Sequence, residues 1–350
     1  MKIVMAFFII GIGSLGFAST WSTAQGRIML SNYTFSPDRP VVGQIVVKGP
    51  DRALPKVKLV GESAKLFSVD KQNTVTLRKG FPVGQKWADL VISTKEAGKT
   101  RLDTFRIVKD EFINNKVIAH RGAWKNTGVP ENSLAALKHA IALGCAGSEF
   151  DVHMSADAVP FINHDPTIQG VAIERASAEE LSKIRLSNGE PLPTLEDYLR
   201  EGTTQNTTRL ILEIKPSGVS KERSLALAGK VVQLVEKQKA QGWVDYISFD
   251  YDILKKVKEL NPYAKVAYLN GDKTPEELAR DNFYGYDYHF NVLRKNEHWL
   301  KEAHDRNLTI NAWTVNDEET MDWLLENNAD FITTNEPEKL LEKVNKGKAP

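Results

Sequence analysis

From Lys116 onward, short apolar β-like runs alternate with amphipathic helical stretches, and this alternation constrains the fold more than any other feature of the chain. It is typical of parallel α/β architecture, because parallel strands need a crossover helix between them. The candidate strands are 117–119, 147–151, 159–163, 210–214, 245–248, 265–269, 288–291, 309–313 and 330–333. The third begins too soon after the second for a crossover, so we interpret 147–163 as a hairpin. Eight parallel strands remain, which predicts a (β/α)₈ TIM barrel over residues 113–350.

The preceding residues, 25–112, have a different sequence pattern, in which turn residues separate short β-like runs and no helical periodicity is present. The runs are 44–48, 56–60, 74–77, 87–92 and 104–108. Apolar and polar residues alternate in 74–77, as expected for a sheet with one buried face. We therefore predict a small all-β, Ig-like sandwich domain before the barrel. No catalytic constellation is recognisable in this domain, and its sequence does not identify a binding partner.

Residues 1–24 combine a basic start at Lys2, an apolar run and small residues at Ala18 and 22–24. Glycines interrupt the run, which is shorter than the ~20 apolar residues that span a bilayer. We expect an export signal that is removed, hence a periplasmic or secreted protein without stable membrane insertion. The single cysteine, Cys145, lies far downstream in an apolar stretch, so no disulfide framework is expected and the thiol should be buried.

The charge balance argues against a nucleic-acid partner. The chain has 46 Lys and Arg against 45 Asp and Glu, and Lys2 is the only one of these residues in 1–24. A broad basic footprint is therefore lacking, although a local basic pocket for one small anion is possible. Hydrophobic residues at 41% and charged residues at 26% exclude a disordered or polytopic membrane chain.

Three carboxylates fall at the ends of predicted strands. Glu149 and Asp151 are two apart, so both point to the same face, and Glu213 ends a neighbouring strand. Anions that converge inside a barrel repel one another unless a cation lies among them, and oxygen ligands favour Mg²⁺ or Ca²⁺. The alternative is that these are solvated charges at the rim, paired with Arg121 and Lys215.

Histidines and cations flank the same strand ends. His120 follows the first strand and His164 closes the hairpin, and imidazole can exchange protons with a reacting oxygen near neutral pH. Arg121 and Lys215 would suit a phosphate group, which a guanidinium grips with two hydrogen bonds and an ammonium contacts as a point charge. Two further histidines are ambiguous. His153 could support the site or lie in the hairpin loop, and His289 could face the barrel mouth.

Eight short motifs, in order over residues 116 to 340, resemble those of the glycerophosphodiester phosphodiesterase family. They are Ile118-Ala119-His120-Arg121-Gly122, Pro130-Glu131-Asn132-Ser133, Glu149-Phe150-Asp151-Val152, Asn163-His164-Asp165, Pro193-Thr194-Leu195-Glu196, Leu212-Glu213-Ile214-Lys215, Ser248-Phe249-Asp250 and Trp313-Thr314-Val315-Asn316. Any single motif is weak, but the ordered set is specific.

The resemblance implies a metal-dependent enzyme that splits glycerophosphodiesters into sn-glycerol 3-phosphate and an alcohol through a cyclic phosphate. By the same resemblance, the ligands of Ca²⁺ or Mg²⁺ would be Glu149, Asp151 and Glu213. The acid and base would be His120 and His164, and the phosphate would contact Arg121 and Lys215. Trp313 would pack against the glycerol or simply fill the barrel core.

The chain departs from the family pattern at four positions. Ser133 replaces a threonine, Ser155 and Ala158 replace threonine and glycine in the hairpin, and Asn335 replaces a common aspartate. We expect none of the four to contact the metal ligands or the histidines.

Two other functions stay open on the sequence. One is a phospholipase of the C or D type that acts on lipid or lysolipid diesters, although no amphipathic or basic membrane-docking stretch is evident. The other is a non-catalytic exported binding protein in which the β-sandwich carries the function.

Overall fold

The structure is a computed structural model that describes residues 26–49, 56–78, 80–96 and 99–346. The predicted signal, 1–24, lies outside the described residues. Over the described ranges, every helix is too short or too polar to cross a lipid bilayer.

The first part of the chain forms two four-stranded sheets. The strands are β1 (Arg27–Leu30), β2 (Thr34–Phe35), β3 (Val41–Lys48), β4 (Val57–Leu59), β5 (Phe67–Val69), β6 (Thr74–Leu77), β7 (Trp87–Glu96) and β8 (Lys99–Lys109). One sheet has the order β1-β3-β6-β5 and the other β2-β8-β7-β4, and a four-residue helix, α1 (Ser63–Leu66), lies between β4 and β5. Buried side chains from both sheets, among them Ile45 and Ile107, form one core. The predicted all-β domain is confirmed.

Eight parallel strands form the closed barrel that the alternation predicts. They are β9 (Val117–Ala119), β10 (Gly147–Met154), β14 (Arg209–Ile214), β15 (Val244–Ser248), β16 (Val266–Tyr268), β17 (Gly285–His289), β18 (Thr309–Trp313) and β19 (Phe331–Thr334). Closure comes from β9, which pairs with both β10 and β19. The hairpin is confirmed as well, because β11 (Pro160–Ile162) runs antiparallel to β10. A small ribbon, β12 (Thr167–Ile168) and β13 (Val171–Ala172), follows it.

Helices cover the outside of the barrel. They are α2 (Leu134–Leu143), α3 (Ala178–Ser182), α4 (Leu195–Gly202), α5 (Lys221–Lys237), α6 (Tyr251–Leu260), α7 (Pro275–Arg280), α8 (Phe290–Lys295), α9 (His298–Asp305), α10 (Glu318–Glu326) and α11 (Pro337–Lys346). Local chemistry sets several of their starts. Thr194 and Thr274 each accept a backbone hydrogen bond as N-cap and receive the reciprocal carboxylate contact of a capping box. The apolar faces of most of these helices pack on the outward side chains of the barrel strands. The exception is α3, whose Leu181 packs in a separate cluster with Phe161 of the hairpin.

One predicted strand is misplaced. The sequence predicts 288–291, but β17 covers Gly285–His289 and α8 begins at Phe290. The strand begins early because Gly285 lies against Thr309 with no room for a side chain, where a Cβ would approach within 2.2 Å of the Thr309 carbonyl oxygen. It ends early because His289 Nδ1 accepts a hydrogen bond from the Asn291 backbone N–H and so caps the helix.

The sandwich docks on the amino-terminal ends of the barrel strands. Trp87 packs edge-on against Trp243, which directly precedes β15, with ring centroids 5.9 Å apart. The Asn206 side chain, just before β14, donates to the Lys109 carbonyl at 2.9 Å. The carboxyl-terminal ends of the same strands, where a barrel places its site, are therefore at the other end of the barrel from the sandwich.

Gly242 gives a direct test of this interface. A Cβ at Gly242 would lie 2.7 Å from Val108 Cγ2 and 3.2 Å from the Tyr33 carbonyl oxygen. Gly242→Val should therefore lower the free energy of unfolding by about 1–3 kcal/mol through overpacking, measured by urea denaturation. Gly229→Ala is the matched control, because Gly229 lies within α5 with open space around a Cβ. The control should gain roughly 0.5–1 kcal/mol; equal stability of the Gly242 variant and wild type would contradict the tight interface.

Candidate active site

Three carboxylates meet at the carboxyl-terminal end of the barrel. Glu149 and Asp151 lie on β10, and the parallel register places Asp151 directly beside Glu213 on β14. Each offers an oxygen within 4.8 Å of the others, and all three residues are buried, at 3%, 1% and 6% exposure. Burial contradicts the solvated rim position of the alternative interpretation, whereas the pairing with Lys215 that it included is present.

Burial and mutual repulsion make this cluster unfavourable on its own. Burial raises the pKa of Glu149 well above its usual range, and the charges of Asp151 and Glu213 add to the effect. The pKa of Glu213 is raised to about 8, by burial first and by Asp151 next. Burial also acts to raise the pKa of Asp151, but Lys215, His164 and the Asn132 hydrogen bond together lower that pKa. One carboxylate is thus stabilised in its charged form and two are not.

The cluster fits a hard divalent cation. Glu149 Oε1 is buried and accepts no hydrogen bond from any residue that the structure describes. An orphaned buried oxygen is costly, and a cation would satisfy it while it neutralises the repulsion among the three carboxylates. The donor set is all oxygen, which is the preference of Mg²⁺ and Ca²⁺.

The two expected phosphate contacts line the same site. Lys215 is 9% exposed, and its Nζ lies 2.8 Å from Asp151 Oδ1 and 2.9 Å from Glu213 Oε1. The Arg121 guanidinium forms two hydrogen bonds with Glu131, at 2.9 and 3.1 Å, while its backbone N–H donates to Glu149 Oε2 at 2.8 Å. Arg121 has a φ of +58°, a conformation that non-glycine residues adopt rarely and that ties the loop to the cluster.

His120 is held in one tautomer. Its Nδ1 lies 2.8 Å from Asn335 Oδ1, which can only accept, so Nδ1 carries the proton and Nε2 has a free lone pair. Burial, with a contribution from the Arg121 charge, lowers the pKa of His120 to about 4. The imidazole is therefore neutral at neutral pH and available as a base. The expectation that no departure from the family pattern contacts a histidine is wrong, because β9 and β19 are neighbours in the barrel and bring Asn335 to His120.

His164 has a different partner. Its Nδ1 lies 2.8 Å from Asp165 Oδ1, and about a third of the side chain is exposed. The partner of the His164 ring is thus a carboxylate, whereas that of the His120 ring is a neutral amide. His153 lies in β10 rather than in the hairpin loop, and its Nε2 donates to the His164 carbonyl at 3.0 Å. It is thus a supporting residue for the loop that carries His164.

A cavity of about 430 Å³ opens between these groups. Its lining residues are His120, Arg121, Glu149, His164, Glu213, Lys215, Ile247, Phe249, Leu269, Asp287, Trp313, Thr314 and Thr333. One side is therefore charged and the other is apolar. Trp313 belongs to the apolar side, where it packs edge-on against Phe249 with centroids 5.3 Å apart. Its indole N–H donates to the Asp287 carbonyl at 2.8 Å, and His289 packs against its ring at the mouth.

Seven of the eight predicted site residues line this cavity, and Asp151 lies behind Lys215 within the same cluster. Asn132 is a supporting residue to which the sequence assigns no role. Its side chain donates to Asp151 Oδ2 at 2.8 Å and accepts from the Asp151 backbone N–H at 3.1 Å. The sequence could have indicated Asn132, because this residue lies inside one of the motifs that match the family. The contact of Asn335 with His120 could not be predicted in this way, because it depends on closure of the barrel.

The fold and the site define a (β/α)₈ enzyme of phosphate-ester chemistry, in which a buried carboxylate cluster and two histidines share one cavity. Residues 120–339 match the glycerophosphoryl diester phosphodiesterase family. The chain belongs to this family and is a phosphodiesterase.

Individual relatives agree with the family match. A curated glycerophosphodiester phosphodiesterase from Caldanaerobacter subterraneus is 30% identical over 248 residues, which are 66% of this chain and 98% of the relative. A crystal structure of a glycerophosphodiester phosphodiesterase from Parabacteroides distasonis is 42% identical, with a TM-score of 0.66, over 68% of this chain and all of that one. Its counterpart from Thermotoga maritima is 25% identical, with a TM-score of 0.54, over 65% and 97% of the two chains.

The repulsion in the cluster can be measured through Glu149→Gln. Without divalent cations this variant should be more stable than wild type, by about 1–3 kcal/mol, because a neutral amide replaces a buried carboxylate among like charges. With Mg²⁺ or Ca²⁺ at 100 times the dissociation constant, wild type should gain about 2.7 kcal/mol and the variant much less. Thermal unfolding with and without chelator checks both.

The matched control is Glu179→Gln, which removes a charge from an exposed carboxylate on α3 and should leave the cation response unchanged. A Glu149 variant that is less stable than wild type without cations, or that gains as much from them, would contradict the account of the cluster.

Proposed function

We propose that the chain hydrolyses glycerophosphodiesters to sn-glycerol 3-phosphate and an alcohol, with one divalent cation at Glu149, Asp151 and Glu213. The observation that carries the proposal is the cavity itself, where two imidazoles of unlike environment face a buried carboxylate cluster. The family match supports the substrate class. Bound Mg²⁺ or Ca²⁺ would stabilise the negative charge that develops on the phosphoryl oxygens.

His120 acts as the base of the first step. It is neutral, and its Nε2 is free because Asn335 engages Nδ1. Nε2 takes the proton of the glycerol 2-hydroxyl, whose oxygen then attacks phosphorus. The attack is intramolecular and gains from proximity, which explains a requirement for a hydroxyl next to the phosphate ester.

His164 acts as the acid of the first step. Its Nδ1 contacts the Asp165 carboxylate, and the partial exposure of its ring places it towards the mouth, where an alcohol can leave. His164 protonates the leaving oxygen as the phosphorus–oxygen bond breaks, which yields a glycerol cyclic phosphate. In the second step His164 takes a proton from water and the water oxygen attacks phosphorus. The bond between phosphorus and the glycerol 2-oxygen breaks as His120 returns its proton to that oxygen, which yields sn-glycerol 3-phosphate.

Substrate charge and shape match the two sides of the cavity. Lys215 and Arg121 both lie close to Asp151. When a cation balances the carboxylates of the cluster, the positive charge of these two side chains is available to the phosphate. Trp313 and Phe249 supply an apolar surface for the carbon atoms of the glycerol. Small, water-soluble diesters are favoured over lipid diesters, because the sequence has no evident amphipathic or basic membrane-docking stretch.

The remaining assignments follow from the sequence. We propose that the chain acts outside the cytoplasm, in the periplasm or after secretion, on the basis of the signal-like residues 1–24. Its proposed partner is the small-molecule substrate and not nucleic acid, because the charges are balanced at 46 to 45. None of the described residues of the sandwich lines the catalytic cavity, so the proposed activity is assigned to the barrel.

The activity is tested by release of sn-glycerol 3-phosphate from glycerophosphocholine and glycerophosphoethanolamine, measured with a coupled dehydrogenase. We expect release that stops with chelator and returns with Mg²⁺ or Ca²⁺. Glu213→Gln should lower kcat at least about a hundredfold, because it removes a metal ligand and leaves Lys215 with one carboxylate partner. Absence of release from folded protein with either ion would refute the proposal for these substrates.

The order of the histidines is tested with a better leaving group. On glycerophosphocholine, both His120→Ala and His164→Ala should lose roughly 10²–10⁴ in rate. On the p-nitrophenyl ester of glycerol 3-phosphate, His164→Ala should keep most of its nitrophenol release and accumulate cyclic phosphate, seen by ³¹P NMR, because nitrophenolate leaves without an acid. His120→Ala should remain slow. Equal losses for both variants on both substrates would contradict the assigned order.

A further inference from the structure

Asp287 is a buried carboxyl group that the proposed mechanism does not use. It lies on β17, is 1% exposed and lines the catalytic cavity. Asp287 also lines a second cavity in the amino-terminal half of the barrel, together with Ile118 and Phe331, so it forms part of the floor of the catalytic cavity.

The two oxygens of the Asp287 carboxyl group differ in their hydrogen bonding. Asn311 hydrogen-bonds the Asp287 carboxyl group, and its amide is fixed by Thr333, with Asn311 Nδ2 2.9 Å from Thr333 Oγ1. The other oxygen, Asp287 Oδ1, has no hydrogen-bond partner within the described part of the chain. An unpaired buried oxygen is costly, so a ligand hydroxyl at this position would be stabilised.

The chemistry of the group suits a neutral hydroxyl. Burial raises the pKa of Asp287 to about 8, so at neutral pH the carboxyl group is mostly protonated and can both donate and accept. Its backbone is fixed, because the Asp287 carbonyl accepts from the Trp313 indole N–H. A charged head group such as choline would instead be placed at the open side, near the partly exposed His164 and the exposed Asp165.

We propose that Asp287 hydrogen-bonds the terminal hydroxyl of the glycerol unit and thereby selects glycerol esters over other 2-hydroxyalkyl esters of phosphate. This inference rests on the proposed function. Phosphate at the cluster and the carbon chain along Trp313 place carbon 1 of glycerol, which bears the terminal hydroxyl, at the cavity floor, where Asp287 Oδ1 has no hydrogen-bond partner among the described residues.

The test compares glycerophosphocholine with 2-hydroxypropyl phosphocholine, which keeps the attacking hydroxyl and lacks the terminal one. Wild type should cleave the analogue with a kcat/KM lower by about tenfold to a hundredfold. Asp287→Leu should reduce this preference to within about threefold, mainly by losing rate on glycerophosphocholine. Asp287→Asn, whose amide also donates and accepts, should keep most of the preference. Choline release is the readout, because both substrates yield choline.

The outcomes separate the two proposals. Equal kcat/KM of wild type for both substrates overturns the role of Asp287 whatever the variants do, and so does an unchanged preference in folded Asp287→Leu. If that variant does not fold, the wild-type comparison still decides, and Asp287→Asn must then retain the preference. Failure of wild type to cleave either substrate overturns the proposed function, and the inference falls with it.

Discussion

Repulsion among three buried carboxylates is the constraint on which the rest of the site depends. Parallel strand register places Asp151 beside Glu213, and the two-residue repeat of a strand adds Glu149 to the same face. Such a cluster is unfavourable in a barrel interior unless positive charge balances it. Lys215 supplies part of that balance, and a divalent cation would supply the remainder. The same charges would then hold a phosphate group.

The sandwich and the proposed active site lie at opposite ends of the barrel. The sandwich packs on the amino-terminal ends of the barrel strands, through Trp87 and Trp243 among others, while the residues that line the catalytic cavity all come from the barrel. The family match likewise begins at residue 120, beyond the sandwich. The barrel therefore contains the groups that the proposed reaction needs, and the sandwich packs at the end of the barrel away from them.

The sequence predicts those features that depend on local periodicity. Alternating strands and helices define the barrel, and the spacing of Glu149 and Asp151 defines the cluster. Features that depend on closure of the barrel are not predicted: Asn335 is 215 residues from His120 in the chain and contacts it only because the first and last strands pair. Asp287 is not predicted for another reason. A carboxyl group in the middle of β17 interrupts the apolar pattern that marks a strand, so the predicted strand begins three residues late.

The most direct test of the central claim is a crystal structure of the protein with Mn²⁺ in place of Mg²⁺, analysed by anomalous scattering. The account predicts one anomalous peak in the catalytic cavity, within coordination distance of Glu149, Asp151 and Glu213. Its height should fall to background in crystals of Glu213→Gln. A cavity without a peak, in protein that releases sn-glycerol 3-phosphate in the same Mn²⁺ buffer, would contradict the claim that these carboxylates hold the cation.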